Sequence, residues 1–241
     1  MKLLAAKVLV TFLMILVVSG AGKAEFKNND LFSVNPTMSQ ARQVYQSITG
    51  PYEMPDFQLF YKAYSGYNYL LSQGKIQNEI LSIIDFTRHS REKRFWIIDM
   101  SKKDLLFFTY AAHGRGSCNG MGVATKFSNT PFSLQSSLGF YLTGETYFGK
   151  HGLSLNLDGM EKNINDKARE RRVVIHGADY ATADFVKKYG RLGRSYGCPS
   201  VPQELHKPII NTIKDKSVLF IHHTDQNYHK ASEYMKKMVK S

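Results

Sequence analysis

The sequence predicts a mainly β fold with peripheral helices: a sandwich or barrel-like sheet preceded by an α-helical section. The observations behind this are simple. Helical periodicity fills the front of the chain up to Gly74, and short β-rich runs bounded by turn signals then recur from Ile80 to His223. Helical character returns only in brief later segments.

Residues 1–24 read as a secretory signal peptide. Lys2 and Lys7 precede an apolar run from Val8 to Val18, and small residues lead to Gly22-Lys23-Ala24, with cleavage expected after Ala24. A spanning helix needs about 20 apolar residues, and Ser19, Gly20 and Lys23 end this run early. An uncleaved anchor is the rival reading; after cleavage no membrane span is expected. Position 25 is Glu rather than Cys, which gives no sign of a lipid-modified N-terminus.

Removing 24 of 241 residues leaves 217, enough for one domain with an appendage or two small ones. The expected division is a helical section over 25–78, a β-rich domain over 79–224 and a basic helix over 225–241. In the first section Thr37 and Ser39 are the candidate caps before Ala41, Val44, Tyr45 and Ile48 on one helical face, which Gly50-Pro51 stops. A second helix should begin near Pro55-Asp56 and place Phe57, Phe60, Tyr61, Tyr64, Tyr67 and Leu71 on one core-facing stripe.

Strands are expected at ILSIIDF, RFWIID and DLLFFTYA, the last two joined by a hairpin turn at Met100 to Lys103. Others should follow at LGFYL, from YFG to LSLNL, at RVVIH and at SVLFIHH. The later helices are Ala183 to Tyr189, Pro208 to Lys214 and Asn227 to Lys240.

The chain is basic. Losing Lys2, Lys7 and Lys23 from 32 Lys and Arg, against 20 Asp and Glu, takes the net charge from +12 to +9. Export argues against nucleic acid as the partner and leaves anionic lipid surfaces or carboxylate-rich wall polymer. The two cysteines, Cys118 and Cys198, either form one disulfide or stand as free thiols. The glycine-rich loop HGRGSCNGMG does not fit a nucleotide cradle and reads as a rim of a cleft. Adjacent His222 and His223 point to opposite strand faces and make a poor metal pair; no metal and no cofactor is implied.

The chemistry concentrates between Arg172 and Pro202. A β run delivers His176 and is expected to break at Gly177, so that the imidazole faces a cleft. Gly190, Gly193 and Gly197 loosen the loop before Cys198. Ser200 and Gln203 have the spacing of a capping box, so a helical turn is expected just beyond the cysteine, with its dipole lowering the thiol pKa. In a Cys–His pair the base removes the thiol proton while backbone N–H groups hold the developing oxyanion.

The segments IHGADY and GRSYGCP resemble the YkuD-like murein L,D-transpeptidase catalytic family, whose signature is a strand-borne His followed by Ser/Thr-His-Gly-Cys. Here the tetrad is Ser195-Tyr196-Gly197-Cys198, similar to a divergent branch with an aromatic second residue and Pro after the cysteine. The resemblance covers roughly Phe95 to His223. It implies an L,D-transpeptidase-like β sandwich or barrel as the catalytic domain, with Cys198 as nucleophile and His176 as general base. Gly197 and the Cys198 amide fall in the oxyanion region, and Ser195 or Gly177 orients the histidine. Tyr196 replaces the tetrad histidine, and Ser200 stands where many members have a substrate-holding arginine; Arg191, Arg194 or Arg172 are the candidates to replace that charge. His151 and Tyr196 are expected to line the substrate cleft.

The implied function is an exported peptidoglycan L,D-transpeptidase, in the periplasm or cell-wall space, that forms a Cys198 thioester with a stem tetrapeptide and passes it to an amine. Hydrolysis as an L,D-carboxypeptidase or endopeptidase is the neighbouring reading. A non-catalytic wall-binding protein with a Cys118–Cys198 disulfide is the reading from another class.

Overall fold

The structure is a computed structural model that describes residues 36–239. The expected signal peptide, residues 1–24, and Lys240 of the basic tail lie outside the described residues. None of the described helices is long and apolar enough to cross a membrane.

Helix α1, Met38–Ser47, starts where Thr37 and Gln40 close a reciprocal capping box, so the cap is Thr37 and not Ser39. Helix α2, Phe57–Ser72, is capped by the Asp56 carboxylate on the Gln58 and Leu59 amides. The expected aromatic stripe is core: Phe60, Tyr64 and Tyr67 are buried, and Phe60 stacks on Tyr64 at 5.5 Å. Gly66 interrupts good helix formers for a packing reason. A Cβ there would lie 2.1 Å from Phe140 Cζ, so the glycine lets the sheet's aromatic ring sit directly on the helix backbone.

The strands are β1 Ile80–Asp85, β2 Phe95–Asp99, β3 Asp104–Thr109, β4 Gly139–Gly149, β5 Gly152–Gly159, β6 Val174–Ala178, β7 Ser200–Pro202 and β8 Val218–His222. They form one sheet in the order β3-β2-β1-β8-β4-β5-β6-β7. Pairing is antiparallel except for β1 with β8 and β6 with β7. The chain leaving β3 then crosses to the far edge, where Ala112 and Ser200 exchange hydrogen bonds of 2.8 and 3.4 Å. That contact curls the sheet toward a barrel and leaves β7 without a free edge. The mainly β architecture with two leading helices is therefore the one the sequence predicts.

The differences are local. LGFYL and YFG belong to one long strand, β4, which crosses an irregularity between Thr143 and Thr146. The strand carrying His176 does not stop at Gly177 but continues to Ala178 by pairing with β7, and 177 is glycine because a side chain there would collide with Gln203 and with His206 at the start of α4, His206–Ile213. Helix α3, Ala183–Tyr189, ends on Gly190 in the left-handed region as expected. The single expected C-terminal helix is two, α5 Gln226–Ala231 and α6 Glu233–Val239, separated at Ser232.

A single core cluster includes residues of α1 and α2, the sheet and α6. The C-terminal helices are tied in by one buried carboxylate. Glu161 accepts from the Phe140 amide (2.9 Å), from the Tyr228 hydroxyl (3.1 Å) and from the Ser232 hydroxyl. Burial raises its pKa against the pull of these donors. Tyr234 of α6 then meets Phe140 at 4.7 Å and Tyr69 of α2 at 5.3 Å. Glu161→Ala should strand the Phe140 amide and the Tyr228 hydroxyl in the core and lower unfolding stability by ~2–4 kcal/mol. Urea denaturation measures this, and limited proteolysis should show earlier cleavage around α5.

Candidate active site

The register of β6 builds the site. His176 lies opposite Ser154 of β5 on one side and Ser200 of β7 on the other. Two residues before this pair, the Val174 amide donates to Cys198 Sγ at 3.5 Å, and the thiol faces the Arg172 carbonyl at 3.6 Å. Val174, His176 and Cys198 line one cleft of about 720 Å³, within the size range of small-ligand sites.

The histidine is held at both nitrogens. Nδ1 lies 2.9 Å from the Gly177 carbonyl, which can only accept, so Nδ1 carries the proton. Nε2 is then the lone-pair side and accepts from Ser200 Oγ at 3.0 Å. Ser200 in turn accepts from the Tyr180 hydroxyl at 3.1 Å. Burial lowers the His176 pKa; the Gly177 carbonyl opposes this, while His151 and Lys150 reinforce it. His151 comes from the β4–β5 turn and stacks on His176 with ring centroids 4.4 Å apart.

The cysteine differs from its expected state. Ser200 begins a strand instead of capping a helix, and its hydroxyl serves His176 and Tyr180, so no helix dipole acts on the sulfur. Cys198 precedes Pro199, which biases it toward extended backbone. Although Sγ opens to the cleft, the protein packed around it raises the thiol pKa; the Val174 amide and the Arg171 guanidinium oppose that shift. Burial thus disfavours charge on the thiol and on the imidazole that share the cleft.

Ser195 bonds to the cysteine turn and not to the histidine. Its hydroxyl donates to the Cys198 carbonyl (2.6 Å) and accepts from the Gly197 amide (3.1 Å). Of the two residues expected to orient the histidine, Gly177 does so, through its carbonyl. Gly197 has φ +131°, and a Cβ there would sit 2.9 Å from the Gln135 carbonyl. Arg171 pins that neighbouring loop by donating to the carbonyls of Gln135 (2.5 Å) and Ser128 (2.7 Å).

Tyr196, His151, Arg194 and Arg172 line the cleft, and so does Lys150, which sequence reasoning passed over. Arg191 does not: its guanidinium folds back onto the Leu192 carbonyl. Tyr196 is two-thirds exposed, at 67%, with the Arg115 guanidinium 5.0 Å from its ring centroid. No carboxylate lines the cleft among the described residues.

The loop HGRGSCNGMG supports the site from behind and does not form its rim. The Ser195 amide bonds to the His113 carbonyl, and Gly114 packs so closely on Gly197 that a Cβ would lie 2.8 Å from its Cα. Behind this loop lies Arg94, fully buried with no carboxylate on its guanidinium. It donates to the Ala111 carbonyl through two nitrogens, to the Arg88 carbonyl and to His113 Nδ1. Burial brings it down to about 9. Both cysteines are free; Cys118 Sγ accepts the Gly120 amide within its own turn. Arg171 and Arg94 left no local sequence signal beyond an arginine beside β-rich runs.

Comparison with known proteins gives the family. Residues 52–222 match the family model described as the L,D-transpeptidase catalytic domain. Similar solved structures include an L,D-transpeptidase from Mycobacterium smegmatis, at 11% identity over 60% of this chain and 59% of that one, with a TM-score of 0.39. The helical cell shape determining protein Pgp2 from Campylobacter jejuni aligns at 14% identity over 66% and 56%, with a TM-score of 0.38. Bd1075 from Bdellovibrio bacteriovorus aligns at 13% over 68% and 55%, with a TM-score of 0.37. The chain thus spans less than two thirds of these proteins. No curated protein matches it in sequence.

The buried histidines make acid destabilising. Burial pushes His113 down to about 2 and His222 to about 3, against ~6.5 in an unfolded chain. Both folded values are depressed, so the unfolded state binds protons first as pH falls below ~6.5, and each group removes up to ~1.4 kcal/mol of stability per pH unit. Urea midpoints should fall steadily from pH 7 to pH 5. His113→Asn, which keeps an acceptor for Arg94 without titrating, should flatten that slope.

Proposed function

We propose, from the premise that the chain belongs to the L,D-transpeptidase catalytic domain family, that this peptidoglycan-modifying enzyme acts through a thioester on Cys198. The observation that carries the reading is that one cleft holds both a cleft-facing thiol and an imidazole whose tautomer is fixed by the Gly177 carbonyl. Fixing Nδ1–H leaves Nε2 as the base, on the side of the ring that faces β7.

In the first step the Cys198 thiol gives its proton to His176 Nε2, and Sγ attacks the carbonyl between the third residue of a tetrapeptide stem and its terminal D-Ala. The Cys198 amide holds the oxyanion; Gly197 N–H, engaged by Ser195, shapes the turn instead. Collapse of the tetrahedral intermediate breaks the C–N bond, and His176 returns the proton to the departing amine. A thioester remains. An amine from a second stem then attacks it, loses its proton to His176, and Sγ leaves as the thiol once reprotonated. Water in place of the amine gives the L,D-carboxypeptidase outcome, and the choice depends on how well the bound acceptor excludes water.

Stem peptides carry several carboxylates, and the cleft presents Lys150, Arg172 and Arg194 without a lining acid among the described residues. That complementarity supports the substrate class. It also supplies cations where Ser200 replaces the arginine typical of the family. Such a substrate lies outside the cytoplasm, for which the expected signal peptide provides the route.

Intact-mass spectrometry after incubation with a tetrapeptide muropeptide or a carbapenem tests the chemistry. A covalent adduct should form on the wild type and be missing in Cys198→Ala; a folded wild type without an adduct would sink the thioester. Muropeptide analysis then separates cross-links from trimmed tripeptides. Arg194→Ala should raise KM for the stem peptide ~5- to 30-fold with kcat nearly unchanged, as expected for loss of one charge-assisted contact.

A further inference from the structure

Ser200 is wholly buried, yet its hydroxyl occupies the one nitrogen that the Cys–His reading needs for chemistry. The sulfur makes its own contacts with the Arg172 carbonyl and the Val174 amide. At rest, base and nucleophile are therefore each engaged elsewhere. Tyr180, half-buried at the cleft wall, completes the chain by donating to Ser200 at 3.1 Å.

We propose that Ser200 and Tyr180 are positioning residues that form a hydroxyl latch on His176, holding Nε2 away from Cys198 until substrate fills the cleft. The inference rests on the Cys–His reading above. In the latched state the proton order runs from Tyr180 to Ser200 to Nε2, while Nδ1–H points to Gly177. Release needs the Tyr180 hydroxyl to turn its proton away and the Ser200 hydroxyl to rotate and donate to the freed Tyr180 oxygen; no covalent bond changes, and Nε2 is freed to accept the thiol proton. Tyr180 lines the cleft, so a bound stem peptide can shift its hydroxyl and trigger that rotation. The resting thiol stays protonated, which protects it from stray electrophiles and oxidants that attack thiolates.

The titratable groups around His176 bear on any pH test. His151 stacks on it from the β4–β5 turn with Lys150 alongside, and His206 approaches from α4. Arg172, Arg194 and Cys198 share the cleft, and Tyr180 acts through Ser200. All of these remain in Ser200→Ala, which also keeps the backbone bridge to Ala112. Differences in pH profile between the two proteins thus report on the hydroxyl.

The test is iodoacetamide alkylation of Cys198 in the full mature chain without substrate, followed from pH 5 to pH 9 by mass spectrometry, with circular dichroism confirming the fold. Cys118 is replaced by Ser in every sample so that one thiol is read. Ser200→Ala should alkylate ~10-fold faster at pH 7, with its profile displaced about one unit toward acid. Tyr180→Phe, which removes the outer donor and keeps the ring, should give a smaller shift in the same direction. Adding His176→Gln to Ser200→Ala should abolish the gain. An unchanged or slower rate in Ser200→Ala would overturn the latch, as would a gain that survives without His176. Muropeptide adduct formation by the Cys118→Ser background reports separately on the thioester reading. Normal adducts with no Ser200 effect reject the latch alone, whereas missing adducts reject the enzyme chemistry itself.

Discussion

Three residues of parallel pairing, Ser200 to Pro202 against His176 to Ala178, set the geometry on which the proposed chemistry depends. The pairing brings Cys198 beside Val174 and sets Ser200 across from His176, so one register decides what the cleft's thiol and imidazole can touch. A strand of three residues is short for this task. It holds because it is an interior strand in effect: Ala112 bonds to its other side, and the edge of the sheet is closed.

That closure depends on an unusual buried cation. Arg94 holds the carbonyls of Ala111 and Arg88 and the imidazole of His113, fixing the segment that crosses from β3 to β7. A guanidinium without a carboxylate costs desolvation energy, visible in its lowered pKa. Its multiple planar donors offset part of that cost by satisfying backbone oxygens that a lysine would serve less completely. Arg171 plays a similar part on the other side of the cysteine turn, where it gathers the loop of Ser128 to Ser137 beneath Gly197. The cysteine turn is therefore clamped between two arginines that do not line the cleft, while Arg172 and Arg194 face it.

Much of this was legible in the chain because the signals were local. Helix α2 showed itself through an aromatic stripe and an Asp cap, and β1 to β3 through β-branched and aromatic runs joined by a tight turn. His176 and Cys198 stood out by their glycine-rich surroundings. What local reading missed depends on partners distant in sequence. Ser200 and Gln203 have helix-cap spacing, but Pro199 and the waiting edge of β6 draw the segment into a strand. Ser232 divides the C-terminal helix: its hydroxyl accepts the Met235 amide at the start of α6 and donates to Glu161, 71 positions earlier. Arg191 and Arg194 are three positions apart in the same loop, and only their backbone settings decide that one reaches the cleft while the other caps Leu192.

The electrostatics of the cleft favour restraint in the resting state and attraction for what arrives. Burial works against charge on both Cys198, whose thiol pKa it raises, and His176, whose pKa it lowers. Around them stand Lys150, Arg172 and Arg194. An ion pair formed early between Cys198 and His176 would sit in that same positive field, which stabilises thiolate and destabilises imidazolium. A carboxylate-bearing substrate reverses the second effect: by neutralising the surrounding cations it makes a positive charge on His176 easier to hold. On the proposed thioester reading, binding and base strength would thereby be coupled through the same side chains, with His176 a stronger base once substrate is bound.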